Sequence, residues 1–165
     1  MTRTLAVTQN ITVDGSIEML GDWFDPQADS VDLQEQMRRQ DRDADAALLG
    51  RQSFEDFRGY WPQQTDDTTG VTDYLNSTIL TGDPVAEVRT LKEEPGKDIV
   101  VTGSITLCHA LIDAGLVDQY RLFVYPVVQG RGRRLFPHGY TVPELTLIDA
   151  KTFRCGITYS CYAPA

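Results

Sequence analysis

Histidine and cysteine are scarce in this chain: 165 residues hold two of the first and three of the second. No Cys-x-x-Cys pair occurs, and His109 and His138 stand far apart in sequence, so no zinc-ligand set is present and no metal is expected. The cysteines are too few and too scattered for a disulfide framework. Cys155 and Cys161 fall in one expected strand, about 20 Å apart at the usual rise per residue, too far to bridge directly. Basic residues are also in short supply. Lysine and arginine number 15 against 24 acidic residues, a net charge of −9. Duplex binding needs clustered cations, so nucleic acid is not an expected partner. No apolar run approaches membrane-spanning length, and the N-terminus has no charged-then-apolar signal pattern. The expectation is one soluble, cytoplasmic domain over residues 1–165, with reduced thiols.

What is there is organised around Lys97 to Leu107. Ile99, Val100 and Val101 form a continuous β-branched run, the mark of a strand covered on both faces. Gly103 permits a tight turn and lets a ligand approach the backbone. Ser104 is a good N-cap for a helix from Ile105 to Ala114, with Leu107, Leu111 and Ile112 on one face and Gly115 at its end. A strand, a small-residue turn and a helix N-terminus can hold a phosphate. An ordinary βα turn is the plainer alternative.

Gly50 to Glu55 repeats the theme. A short buried strand, Ala44 to Leu49, runs through Gly50 into a helix carrying Phe54, Phe57 and Tyr60, with Arg51 beside the turn. Before it, Arg3 to Ile11 alternates as a strand into a turn at Val13-Asp14-Gly15. A Gly-, Asp- and Pro-rich stretch then carries Trp23 and Phe24, as a lid or as a plug at the core edge. Asp29 or Ser30 caps a helix to about Asp43. After Trp61-Pro62, Gln63 to Val71 reads as a polar loop, Asp73 to Asn76 as a helical turn and Thr78 to Leu80 as a very short strand. Asp83-Pro84 opens a helix with Val85, Val88 and Leu91 inside. Val117 to Val128 alternates as a long strand. Its Tyr120, Phe123 and Tyr125 would form an aromatic edge that a second copy could cover. Gln129 to Arg134 is a basic, glycine-rich hairpin loop. Two strands follow, Leu145 to Phe153 and Ile157 to Tyr162.

Strands alternate with helices over two-thirds of the chain and then run alone. That order predicts an α/β, three-layer αβα fold: a mostly parallel central sheet with antiparallel C-terminal strands. Ligands of such sheets sit outside the strands' carboxyl ends. Thr12 to Gly15, Gly50 to Ser53 and Thr102 to Ser104 all fall there, and the last two open helices. Two convergent helix N-termini suit a ligand with two phosphate centres, such as a dinucleotide.

These segments resemble a known family. Ala6 to Asn10 leading to Val13-Asp14-Gly15 and then Trp23 is similar to the opening of dihydrofolate reductases. Leu49 to Glu55 and Val100 to Ser104 resemble their phosphate turns. The reductase domain of bacterial riboflavin-pathway deaminase-reductases, with its stand-alone relatives, is a closer match. Pro95 to Ile99, Ala114 to Asp118 and Pro126 to Phe136 carry that likeness, which covers nearly the whole chain. The resemblance implies a dihydrofolate reductase-like fold, NADPH as hydride donor and a homodimer. It implies reduction of a small heterocycle: a pyrimidine such as 5-amino-6-(5-phosphoribosylamino)uracil, or a pterin or dihydrofolate-like compound. Carried over by position, Gly50, Arg51 and Ser53 would face the adenosine-side phosphate. Thr102, Gly103, Ser104 and Leu107 would surround pyrophosphate and nicotinamide. Thr8 and Thr12 to Gly15 would line the nicotinamide side, with Asn10, Trp23 and Phe24 toward the substrate. A non-catalytic nucleotide-binding homodimer is the rival reading.

The likeness departs at two places. Dihydrofolate reductases carry a carboxylate on the first helix that helps protonate the pterin; here that helix reads Val31 to Met37, and no residue is matched to it. Relatives also place a whole strand between Asn76 and Thr78, where this chain has Ser77 alone. Either the strand is lost, or the sequence joins residues across an omitted segment. Asp14, at a strand end beside the expected nicotinamide, is the candidate proton source. Its other possible role is to cap its own turn. Arg131, Arg133 and Arg134 read as a solvated loop, His109 as structural, and Cys108 has no activating partner.

Overall fold

A computed structural model describes residues 2–25, 30–60, 81–142 and 144–165, with the backbone alone for 56–60. Among the described residues six strands form one sheet in the order β2-β3-β1-β4-β6-β5. In chain order they are β1 (Leu5–Thr12), β2 (Ala44–Leu48), β3 (Asp98–Val101), β4 (Gln119–Tyr125), β5 (Leu145–Thr152) and β6 (Thr158–Pro164). The first four run parallel: Val7 pairs with Val101 on one side and with Tyr120 on the other, and β2 runs alongside β3. β6 then pairs antiparallel with β4, and β5 with β6. The helices are α1 (Val31–Asp43), α2 (Arg51–Tyr60), α3 (Pro84–Glu93) and α4 (Ile105–Asp113). The expected mostly parallel sheet with antiparallel C-terminal strands is therefore present.

Alternation along β4 supplies both faces of the sheet. Tyr120, Leu122 and Val124 pack with Leu5, Val7, Ile99 and Val101 under Val88 of α3 and Leu111 and Ile112 of α4. Phe123 and Tyr125 pack on the opposite face with Tyr159, Phe153 and Leu33 of α1. The caps follow local chemistry. Asp83 accepts from the Val85 N–H at 3.2 Å ahead of Pro84, and Ser104 accepts from the Leu107 N–H at 3.4 Å.

The end of the sheet opposite the strands' carboxyl ends is tied by charge. Arg3 pairs with Asp45 and donates to the Lys97 carbonyl at 2.7 Å. Lys92 meets Asp118 at 2.6 Å, and Arg121 meets Asp98 at 2.5 Å. Asp118 also accepts from the Leu5 N–H at 2.7 Å, which sets the start of β1. A side chain on Gly96 would fall 2.7 Å from Cζ of Arg3. The segments around Gly96 and Asp118 thus build the frame at the far end from the candidate site.

Four expectations are corrected. β4 is not an edge: it lies between β1 and β6, and Tyr120, Phe123 and Tyr125 are 1%, 2% and 6% exposed. It is also shorter than expected, ending before Pro126. The 129–134 loop is not a hairpin turn, because β4 pairs with β6 and a long connection leads first to β5. The strand expected over Ala44 to Leu49 is not buried: β2 ends at Leu48 and borders the described sheet, and Asp45 and Ala47 are exposed. Expectations on Trp61-Pro62, Gln63 to Val71, Asp73 to Asn76 and Thr78 to Leu80 lie outside the described residues, as do the Phe57 and Tyr60 side chains. The chain spacing at Asn76, Ser77 and Thr78 lies outside them too.

Candidate active site

The carboxyl ends of β1, β2, β3 and β4 share one rim, and three turns meet there. Two of them interlock. Gly103, with φ +77°, ends the β3 turn. A Cβ built on it would fall 3.1 Å from the Ser53 hydroxyl oxygen. A Cβ on Gly50 would fall 2.1 Å from Oγ and 2.7 Å from Cβ of Ser104. Each glycine thus makes room for the serine of the other turn, and the first turns of α2 and α4 lie side by side. First-turn N–H groups have no partner within their helix. The pair brings the donor ends of two helices together.

The third turn follows β1. Asp14 is its centre: Oδ1 accepts from the Thr12 hydroxyl at 2.6 Å and the Gln129 N–H at 3.1 Å, and Oδ2 from the Gly130 N–H at 2.7 Å. These donors, the Thr12 hydroxyl foremost, hold its carboxyl down to about 2 from an ordinary 3.8. At neutral pH Asp14 is a carboxylate with no proton to give. The proton-source role does not fit it, and the cap role does. It caps the 129–130 backbone as well as its own turn.

Thr8 lies on β1 just beyond Val7, and Thr102 lies just beyond Val101, its pairing partner on β3. The Thr8 hydroxyl is buried and has no hydrogen-bond partner among the described residues. A buried hydroxyl without a partner costs about 1–3 kcal/mol. A polar group of a ligand placed there would relieve that cost. Asn10, two residues on, is half-buried on the same face. Leu107 is half-buried and packs on the core at the start of α4. Arg51 points away from the two turns: its side chain is 91% exposed and meets Glu55 at 2.9 Å, which raises its pKa. Trp23 and Phe24 close the end of β4, with ring centroids 5.1 Å and 6.0 Å from that of Tyr125. Trp23 Nε1 also donates to Gln129 Oε1 at 2.8 Å. Of the two roles expected of the aromatic pair, this packing is that of the core plug.

The 129–134 loop was missed as part of the site. Ser16 and Arg134 form a β-bridge, and Ile17 donates to the Arg133 carbonyl at 3.0 Å, so the loop docks on the β1 turn. The available sequence signal was Gly130 and Gly132 among the arginines; their φ values are +71° and +102°. His109 Nε2 meets the Arg134 carbonyl at 2.8 Å, a structural tie between α4 and the loop. Burial pushes the Cys108 thiol up to about 11, and it is inert.

Residues 63–159 match the RibD C-terminal domain family. This chain belongs to that family. YyaP of Bacillus subtilis (strain 168), itself uncharacterized, is 30% identical over 184 aligned residues, covering 97% of this chain and 94% of that protein. That alignment is longer than the 165-residue chain, so the relative carries residues that this chain lacks. Among solved structures, a Shewanella sp. PV-4 protein assigned by name to riboflavin biosynthesis superposes with a TM-score of 0.69 at 18% identity. It is covered over 99% of its length, and this chain over 100%. The Thermotoga maritima diaminohydroxyphosphoribosylaminopyrimidine deaminase/5-amino-6-(5-phosphoribosylamino)uracil reductase superposes at 0.67 with 15% identity, covering 99% of this chain and 57% of that one. A pyrimidine reductase-like protein of Corynebacterium diphtheriae gives 0.61 at 14%, with 99% and 92% covered. These likenesses establish the dihydrofolate reductase-like fold.

Proposed function

We propose that the chain is an NADPH-dependent reductase of a small heterocycle, either a pyrimidine of the 5-amino-6-(5-phosphoribosylamino)uracil kind or a pterin or dihydrofolate-like compound. The observation that carries the reading is the interlock of Gly50 with Ser104 and of Gly103 with Ser53. It sets two helix N-termini at one rim, as a ligand with two phosphate centres requires. Thr102, Ser104 and the first turn of α4 would hold the pyrophosphate. Gly50 and Ser53 would face the adenosine-side phosphate, and the unpartnered Thr8 hydroxyl would meet the nicotinamide end. When bound, NADPH supplies the hydride. The protein's part is to orient the two reactants and keep water out, which is most of what hydride transfer asks of it. Trp23, tied down through Gln129, and Phe24 beside it would cover the substrate side. Asp14 stays ionised and fixes the turn, so the product's proton must come from another donor.

The test is loss of NADPH absorbance with a panel of pyrimidines and pterins. Turnover with any of them supports the reading. Binding of NADPH without turnover across the panel would favour the rival, a non-catalytic nucleotide-binding homodimer, to which the lack of an available acid at Asp14 already lends weight. No helix of the described residues is long and apolar enough to cross a membrane. A cytoplasmic setting and a homodimer belong to the proposal.

A further inference from the structure

In a chain of net charge −9, three arginines stand within four residues at the mouth of the site: Arg131, Arg133 and Arg134. Arg133 is already used. Its Nη2 and Nε donate to Glu18 Oε1 at 2.8 and 3.0 Å, and its backbone N–H donates to Oε2 at 2.9 Å. Arg131 and Arg134 make no ion pair and no side-chain hydrogen bond among the described residues, and both are exposed. They line a recess of about 220 Å³ with Asp14, Ser16, Gly130 and Gly132. Nη1 of Arg134 lies 3.1 Å from where a Cβ on Gly15 would sit, so its guanidinium rests across the β1 turn.

The backbone beneath these two heads is held from both sides. Asp14 takes the Gln129 and Gly130 N–H groups. The Gln129 amide nitrogen donates to the Ser16 hydroxyl at 2.9 Å and to the Arg131 carbonyl at 2.8 Å. His109 meets the Arg134 carbonyl. Two cations are thus fixed at their stems and free at their heads, facing one small recess. The one acid that lines it has both oxygens engaged by protein donors. Planar guanidinium groups suit bidentate capture of phosphate or carboxylate. The volume is below the range of about 300–1,000 Å³ usual for a whole drug-sized ligand, and it suits a single group.

We propose that this recess is an oxyanion subsite, in which Arg131 and Arg134 receive a phosphate or carboxylate carried by the substrate. It adjoins the ends of β1 and β4, while the two helix N-termini already serve the two phosphate centres of the cofactor. The inference rests on the reductase reading only for which molecule carries the anion. The test compares wild type with Arg131→Gln/Arg134→Gln by calorimetric titration with inorganic phosphate and, separately, with NADPH. Arg89→Gln, on the exposed side of α3, is the control, and melting curves check folding. The expected result is a phosphate-binding site in wild type, apart from any phosphate taken up at the two helix N-termini, that weakens at least about tenfold in the double variant, about 1.4 kcal/mol, and is unchanged in Arg89→Gln. NADPH affinity should stay within about twofold. Equal phosphate affinity in the folded double variant, or no saturable phosphate binding by wild type, would overturn the subsite. A parallel fall in NADPH affinity would overturn its assignment to the substrate. Intact phosphate results without NADPH binding would uphold the subsite and sink the reductase reading.

Discussion

Asp14 carries the most specific chemical statement at the scale of one residue. Its carboxyl is lowered from 3.8 to about 2 by donors present only in the fold. A group whose pKa is depressed on folding stabilises the fold above its unfolded value and loses that effect as pH falls through its folded value. The melting temperature of Asp14→Asn should therefore lie below wild type at neutral pH. The gap should narrow between about pH 4 and pH 2 as the wild-type carboxyl takes up its proton. A gap that stays constant through the acid range would show that the ionised carboxylate is not what anchors the loop. Which of its two possible roles Asp14 takes could not be read from sequence. Thr12, the foremost donor, is local in sequence, but Gln129 and Gly130 arrive from beyond β4 and carry no mark of it.

Between elements, the two phosphate turns act as one unit, and this can be tested without any ligand. A Cβ on Gly50 meets Ser104 at Cβ as well as Oγ, so rotating the hydroxyl away does not remove the clash. Gly50→Ala should destabilise by about 1–3 kcal/mol, the usual cost of overpacking. Ser104→Gly should lose part of its own cap, about 1 kcal/mol or less. The double variant should be more stable than the sum of the singles predicts, because the two changes relieve one contact. Strict additivity in denaturant titrations would mean that the turns are not in contact. The turns themselves were legible in advance, since a β-branched run, a glycine and a serine N-cap are all local. Their interlock was not, because it joins segments about a third of the chain apart. The aromatic alternation in β4 was legible too, but its burial was not: β6 covers it, after a connection whose course no local pattern gives. The edge that a second copy would cover is instead β5, where Leu147 and Ile148 are 54% and 51% exposed. Light scattering of wild type and Ile148→Lys should show a dimer and a weakened dimer. A monomeric wild type would remove the homodimer from the account.

Over the whole molecule, the segments that make the family recognisable divide into two groups. Those around Gly96 and Asp118 tie the frame through Arg3, Lys92 and Leu5, and so reveal the fold. Those around Gly50 and Gly103 build the rim where we propose that the cofactor binds. Likeness in the first group does not fix the chemistry of the second, which is why the fold was plain from sequence while the substrate was not. The central claim is that the rim binds NADPH, and the most direct measurement is its titration into wild type, Gly103→Ala and Gly115→Ala, followed by tryptophan fluorescence. Both glycines have positive φ, +77° and +64°, so alanine costs each about 1–2 kcal/mol of backbone strain. Nothing lies within 4 Å of a Cβ on Gly115, whereas Gly103 sits against Ser53 in the double turn. The account predicts saturable binding by wild type, unchanged affinity in Gly115→Ala, and at least about tenfold weaker binding in a folded Gly103→Ala. Unchanged affinity in folded Gly103→Ala, or no saturable binding by wild type, would contradict it.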